Sequence, residues 1–309
     1  MRQIARNILK KIKQARARSV VAIWGKRPRI RFMILASARS GSNFLHYALK
    51  SHQNIQMLGE VFNLQAASAP MMKKLLLDPV KYADKLLNRK CPKGKMALGF
   101  KLFYNQMTPE QVDCEFYSTY FIQRNDVSHE EAAQIDKLKG YIANTFDVAA
   151  AKARIEDVWS YFQKDTGIKI LHLRRNNRLK QYLSICRAWQ SNEWISMKSG
   201  AVSQAPLRPI RIEYLNCLGF FEKLGEWEKK FGRHFSRHEV HEVFYEDLAR
   251  DPGGELEKVQ TFLGLPLKRL DAQLQKQRRE PVSEAIANYG ELKARFKGSP
   301  YEEYFSNPQ

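Results

Sequence analysis

No aspartate or glutamate occurs in the first 59 of the 309 residues, so Glu60 is the first carboxylate after a long stretch whose only charges are cationic. Long apolar runs are missing too. None approaches the roughly 18 residues of a membrane-spanning helix, and Val20–Trp24 is too short for the apolar core of a secretory leader. The four cysteines, Cys91, Cys114, Cys186 and Cys217, are scattered without a C-x-x-C pair. That spacing argues against a zinc knuckle or a disulfide framework and suits a reducing compartment. His234, His238 and His241 cluster only loosely, without the carboxylate support of a zinc site, and no metal is expected. No helix-turn-helix, zinc finger or RRM-type aromatic signature is present, which disfavours nucleic acid as a partner. The expectation is a cytoplasmic protein.

What the chain has in excess is positive charge, 52 Lys and Arg against 32 Asp and Glu, a formal +20. Ten of those cations lie in residues 1–29, where Ile4, Ile8 and Ile12 recur at every fourth position with Leu9 beside them. This pattern predicts a basic amphipathic helix, suited to the inner face of an anionic membrane at roughly 1 kcal/mol per basic residue near the surface. A solvated extension or a nucleic-acid arm would show the same pattern. Residues 30–309 still carry +10, as a body that binds a strongly anionic ligand would. That body is long enough for one α/β domain with a large core. Residues 104–168 within it read as a helical insertion rich in aromatics.

Ile30–Ala36 reads as a buried strand that stops at Ser37-Ala-Arg-Ser-Gly-Ser-Asn43 and restarts as a helix at Phe44. A strand, a small-residue turn and a helix start leave backbone N–H groups open where the helix dipole favours an anion. In the register of a Walker loop, Ala36 takes the first glycine, Gly41 the second, Ser42 the lysine and Asn43 the metal-binding hydroxyl. The lysine and magnesium ligand that a nucleotide kinase needs are therefore absent. Arg39, Ser40 and Ser42 supply instead forked N–H donors and hydroxyls that hold an anion without metal. A second strand, Lys169–Leu173, runs into Arg174 and Arg175, with Ser184 in the early turns of the helix that follows. Strand ends of this kind are where open α/β sheets bind ligands. Further strands are expected at 55–58, 97–103 and 240–244, giving a three-layer α/β fold with a mainly parallel central sheet.

Ala38-Arg-Ser-Gly-Ser-Asn-Phe-Leu45 resembles the 5′-phosphosulfate loop of sulfotransferases that use 3′-phosphoadenosine 5′-phosphosulfate (PAPS), and Arg175 to Ser184 resembles their 3′-phosphate site. Gly59-Glu-Val-Phe-Asn63 is similar to a G-E-x-F segment of carbohydrate sulfotransferases. Val243–Leu248, Asp251-Pro252 and Phe262–Pro266 match their C-terminal pattern, while Leu98–Phe103 and Ile286–Tyr289 are similar to the bacterial branch with the nodulation and glycolipid enzymes. These segments keep their order from residue 30 to about residue 305. Asn43 stands where the family often has Thr or Ser, and the arginine and serine are nine rather than eight residues apart, which leaves Arg174 and Arg175 in competition. Alignment of the strand end favours Arg175.

The resemblance implies PAPS as sulfuryl donor, no metal, and a carbohydrate or glycolipid acceptor. It assigns Arg39, Ser40, Gly41, Ser42, Asn43, Arg175 and Ser184 to the donor. Transfer to a hydroxyl needs a proton acceptor, and Glu60, just past the second strand, fits that role; a salt bridge to Arg39 is its alternative. Lys101, the one cation in the apolar run 97–103, is expected with Arg39 to meet transition-state charge, unless its side chain turns to solvent. His46 is a packing residue or a second base, and His172 reads as core. Tyr104, Phe116, Tyr117, Tyr120, Phe121, Tyr141, Phe146, Trp159 and Tyr161, with the Trp189–Met197 stretch, are candidates to stack on sugar or else pack the core, and Lys276 or Arg279 to add a phosphate contact or end a solvated helix. A kinase, or a nucleotide- or anion-binding protein without sulfuryl transfer, is the alternative function.

Overall fold

The computed structural model describes residues 27–194, 208–272 and 281–306. Most of the N-terminal extension, Lys276, Arg279 and the end of the Trp189–Met197 stretch lie outside the described residues.

Five strands, β1 (Ile30–Ala36), β2 (Ile55–Met57), β3 (Ala97–Phe103), β4 (Ile168–Arg174) and β5 (Val240–Phe244), form one sheet in the order β2-β3-β1-β4-β5. Every pairing is parallel. Continuous apolar runs such as Ile30–Ala36 build central strands because helices cover both faces of a parallel sheet, and residues 32–36 are indeed buried. The three-layer α/β expectation holds, with strand limits within a residue or so of those read from the sequence. All seven residues of β3 are buried, Lys101 included, so that side chain does not turn to solvent. Gly99 is required there: a Cβ would stand 2.2 Å from Phe32 Cζ and 2.5 Å from Met57 Sδ.

Packing ties the helices to this sheet. Phe62 meets Phe100 and Phe162 edge-on at 5.6 and 5.4 Å between ring centres, while Phe231 stacks on Tyr104 at 5.2 Å. Arg31 grips Asp165 through two hydrogen bonds of 2.6 and 2.9 Å, fastening the start of β1 to the segment that enters β4. Helix starts at Pro79, His129, Val148, Arg178 and Pro252 are capped by Asp78, Ser128, Asp147, Asn177 and Asp251, each side chain accepting one of the orphan N–H groups. The Ser42–Ser51 helix has no side-chain cap and no acid in its first turn. Glu246 and Asp247 lie in a short helix of their own, Tyr245–Arg250.

The strand order places the ligand site. From β1 the chain crosses outward to β2 and returns to β3, then passes to the other side of β1 for β4 and β5. Loops leaving β1 and β4 therefore diverge, and the crevice between them lies at the carboxyl ends of the strands, the topological switch point.

Candidate active site

A cavity of about 940 Å³ opens at that crevice, and all five strand ends contribute to its wall: Arg39, Gly41, Ser42 and Asn43 after β1, Glu60 after β2, Gln106 after β3, Arg175 after β4 and Tyr245 after β5.

The loop after β1 is shaped by two left-handed residues, Arg39 (φ 60) and Gly41 (φ 93). Ser40 Oγ donates to the Ser37 carbonyl at 2.8 Å and closes the turn from inside, so the Ser40 hydroxyl does not line the cavity. Gln181 fastens the loop by donating to the Ala38 carbonyl at 2.7 Å. Gly41 stands at the N-cap of the Ser42–Ser51 helix, whose first N–H groups point out uncapped. Ser42 and Asn43 line the cavity beside them.

Two arginines meet over this loop. Arg39 Nε donates to Ser184 Oγ at 2.9 Å and Nη1 to the Trp194 carbonyl at 2.6 Å. Arg175 Nη1 donates to the Arg39 carbonyl at 3.2 Å, and its guanidinium lies over the Tyr245 ring at 4.4 Å. Burial, followed by the neighbouring Arg175 charge, pulls Arg39 down to about 10; burial likewise lowers Arg175. Two desolvated cations side by side favour an anion between them. Arg175 Nε is buried with no hydrogen-bond partner among the described residues, a donor that an anionic oxygen would satisfy. Arg174 faces elsewhere: its Nε lies 2.9 Å from Glu242 and its guanidinium over Phe244. Glu246 fastens the turn that follows by accepting from the N–H groups of Asn176 and Asn177 at 3.0 and 3.2 Å.

The carboxylate of the site is held by a cation from the neighbouring strand. The β2–β3 ladder runs past the end of β2, with Leu58 N–H bonded to Gly99 O and Lys101 N–H to Gly59 O, and Gly59 at φ 75 turns the chain there. Glu60 Oε1 thus lies 2.8 Å from Lys101 Nζ. Its other oxygen accepts from Asn63 and Gln106, each at 3.1 Å. Lys101 also donates to Asn43 Oδ1 at 2.6 Å, so the anion loop, lysine and carboxylate form one hydrogen-bonded chain. Lys101, rather than Arg39, is the salt-bridge partner of Glu60. His46 is buried nearby with Nδ1 unpartnered, and burial with Lys101 and Lys50 pushes it down to about 4.

His172 is core, as expected, but carries polar partners: Tyr104 Oη at 2.6 Å and Glu242 at 2.9 Å. Burial favours a neutral Glu242, yet His172 and Arg174 outweigh it and hold that carboxyl below its usual range. His234 and His238 reach the carbonyls of Trp159 and Phe162, and His241 stacks on Phe262. No cluster suited to a metal occurs among the described residues, and all four cysteines are buried free thiols. Gln106 and Tyr245 escaped the sequence reading, and Trp194, expected only as part of a sugar-stacking stretch, brings its carbonyl to Arg39. A carboxamide, a phenol ring and a backbone carbonyl carry no spacing signal, and only the folded chain brings them to the site.

An all-parallel sheet whose strand ends close on paired arginines, an uncapped helix start and a lysine-held glutamate defines an α/β protein that handles an anionic group. The chain belongs to the sulfotransferase family, whose profile matches residues 31–269; it is an enzyme that transfers a sulfuryl group. It is 25% identical to nodulation protein H of Rhizobium meliloti over 276 residues, 89% of this chain and 94% of that protein. It is 24% identical to nodulation protein H of Rhizobium tropici over 281 residues, covering 89% and 92%. Among solved structures, a sulfotransferase from Alicyclobacillus acidocaldarius aligns over 92% of this chain and 98% of its own, at 17% identity and a TM-score of 0.40.

Proposed function

We propose that the protein moves the sulfuryl group of PAPS to a hydroxyl of a carbohydrate or glycolipid acceptor, with Glu60 as general base. The observation that carries this is the chain Asn43–Lys101–Glu60, which sets a carboxylate beside an anion loop within one cavity. The residues fit a doubly anionic donor. The uncapped N–H groups of Ser42 and Asn43, with the Ser42 hydroxyl and Arg39, would hold the phosphosulfate; Arg175, through its unpartnered Nε, and Ser184 would hold the 3′-phosphate.

When bound, the donor supplies an activated sulfuryl group on a phosphate leaving group. Glu60 Oε1 or Oε2 takes the proton of the attacking hydroxyl. Lys101 orients that carboxylate and places a positive charge next to the anion loop through Asn43. Arg39 offers a preorganised cation where charge grows in a loose transfer, by analogy with phosphoryl transfer. Since Arg39 already bonds Ser184, the two halves of the donor site act as one unit.

The helical segment 104–168 supplies the acceptor wall, with Asn105, Gln106, Gln111, Phe116 and Tyr120 lining the cavity. Carboxamides and aromatic faces suit a polyhydroxylated ring. No helix among the described residues is long and apolar enough to cross a membrane; residues 1–29 would instead bring the enzyme to an anionic membrane surface where a glycolipid is presented.

Glu60→Gln tests the assignment. Turnover should fall ~100- to 10,000-fold, while adenosine 3′,5′-bisphosphate affinity by calorimetry stays within about threefold. Equal losses in both would give Glu60 a binding role.

A further inference from the structure

Glu131 is a buried acid, 4% exposed, for which the transfer chemistry has no use. It is the third residue of the His129–Thr145 helix, and the capping Ser128 Oγ accepts from its N–H at 3.3 Å. In such an S-x-x-E start the glutamate ordinarily reaches back to the N–H of the capping serine. Here the Ser128 N–H is already spent on the Trp189 carbonyl, at 2.9 Å. The Glu131 side chain lines the cavity instead.

Its partners are neutral. Gln65 Nε2 donates to Oε1 at 2.6 Å, and the Trp194 side chain hydrogen-bonds the same carboxylate. No cation pairs with Glu131 among the described residues, and burial raises its carboxyl above the usual range. A carboxylate offers about four acceptor positions, so two remain for donors arriving from the cavity. The same partners fix where such a donor would sit. Gln65 N–H donates to Asn63 Oδ1 at 3.0 Å, and Asn63 in turn donates to Glu60. On the other side, the Trp194 carbonyl holds Arg39. Glu131 is thereby linked by hydrogen bonds to the proposed base and to the proposed sulfuryl clamp.

We propose that Glu131 is an acceptor-recognition residue, accepting hydroxyl hydrogens of the sugar ring that presents a different hydroxyl to Glu60. This rests on the carbohydrate acceptor proposed above. A carboxylate in that place also disfavours anionic sugars, which would bring a second negative charge against a desolvated acid.

The probes are lactose, cellotriose, chitotriose and maltotriose with sulfur-labelled PAPS, followed by monodeoxy analogues of whichever sugar is labelled fastest. For Glu131→Gln the KM for that sugar should rise about tenfold or more, the scale of one lost hydrogen bond to a charged group, with the loss falling on KM rather than kcat. Wild-type preference for the full sugar over at least one deoxy analogue should narrow from about tenfold to about twofold. Glu131→Asp, which keeps the charge one methylene back, should fall between the two and serves if the glutamine variant does not fold. An unchanged KM and deoxy preference would overturn the proposal while leaving sulfuryl transfer intact. A parallel loss of adenosine 3′,5′-bisphosphate affinity would also overturn it, assigning Glu131 to the framework. Absence of label in every sugar would defeat the carbohydrate acceptor, and the proposal with it.

Discussion

Arg174 and Arg175 are chemically identical neighbours in different surroundings. One leans on Glu242 and Phe244, the other on Tyr245 and the Arg39 carbonyl, with Nε unsatisfied. Arg175→Ala should therefore weaken adenosine 3′,5′-bisphosphate by about tenfold or more, the scale of a charged hydrogen bond, and change adenosine 5′-phosphosulfate binding little. Calorimetry with both nucleotides checks this, and equal losses would place Arg175 elsewhere on the donor. His46 offers a pH test at the same scale. Burial holds it neutral, with its pKa pushed down to about 4, so between that value and about 6.5 the unfolded chain binds more protons than the folded one. Stability from this group is complete above about pH 6.5 and is lost as pH falls toward 4. Urea unfolding across that window should show the slope, and His46→Gln should flatten it.

At the level of elements, the anion loop depends on its glycine. Gly41 has φ 93, and a Cβ there would come within 2.7 Å of Tyr245 Cδ2. Since Arg175 rests on the Tyr245 ring, strain in the first loop passes to the arginine of the other. Gly41→Ala should lower stability by about 1–2 kcal/mol through the left-handed backbone alone, and should weaken adenosine 3′,5′-bisphosphate beyond that backbone effect. Thermal unfolding and a nucleotide titration on the same variant separate the two losses; intact nucleotide affinity would show that the loops are independent. The short β2 strand illustrates a related dependence. Its ladder continues through Leu58 and Gly59 onto β3, and that register, rather than any helix, brings Glu60 to Lys101.

For the whole molecule, charge and attachment are the open quantities. The chain carries +20, half of it in residues 1–29. Deleting those residues should release the enzyme from vesicles containing anionic lipid while activity on a soluble acceptor survives. Cosedimentation and a sulfuryl-transfer assay on the truncated protein check both halves, and a truncated protein that still cosediments would place membrane attachment on the body of the chain.

The parallel sheet was legible because its strands are short apolar runs, and a buried parallel strand has no polar face to disguise it. The anion loop was legible because small residues set between a strand and a helix leave the first helical N–H groups open to a ligand. Both are local properties, written in consecutive residues. Which arginine of the 174–175 pair faces the cavity depended on distant neighbours, Glu242 and Phe244 beside Arg174, Tyr245 and the Arg39 carbonyl beside Arg175, and the choice of Lys101 over Arg39 as partner of Glu60 depended on strand register. Glu131 could be read as a helix-start acid from Ser128-x-x-Glu131, yet its turn toward the cavity required the Trp189 carbonyl to occupy the serine N–H first. Sequence alone thus determined the elements and the family; tertiary structure decided which side chains line the cavity, because hydrogen-bond partners distant in the chain compete for each polar group.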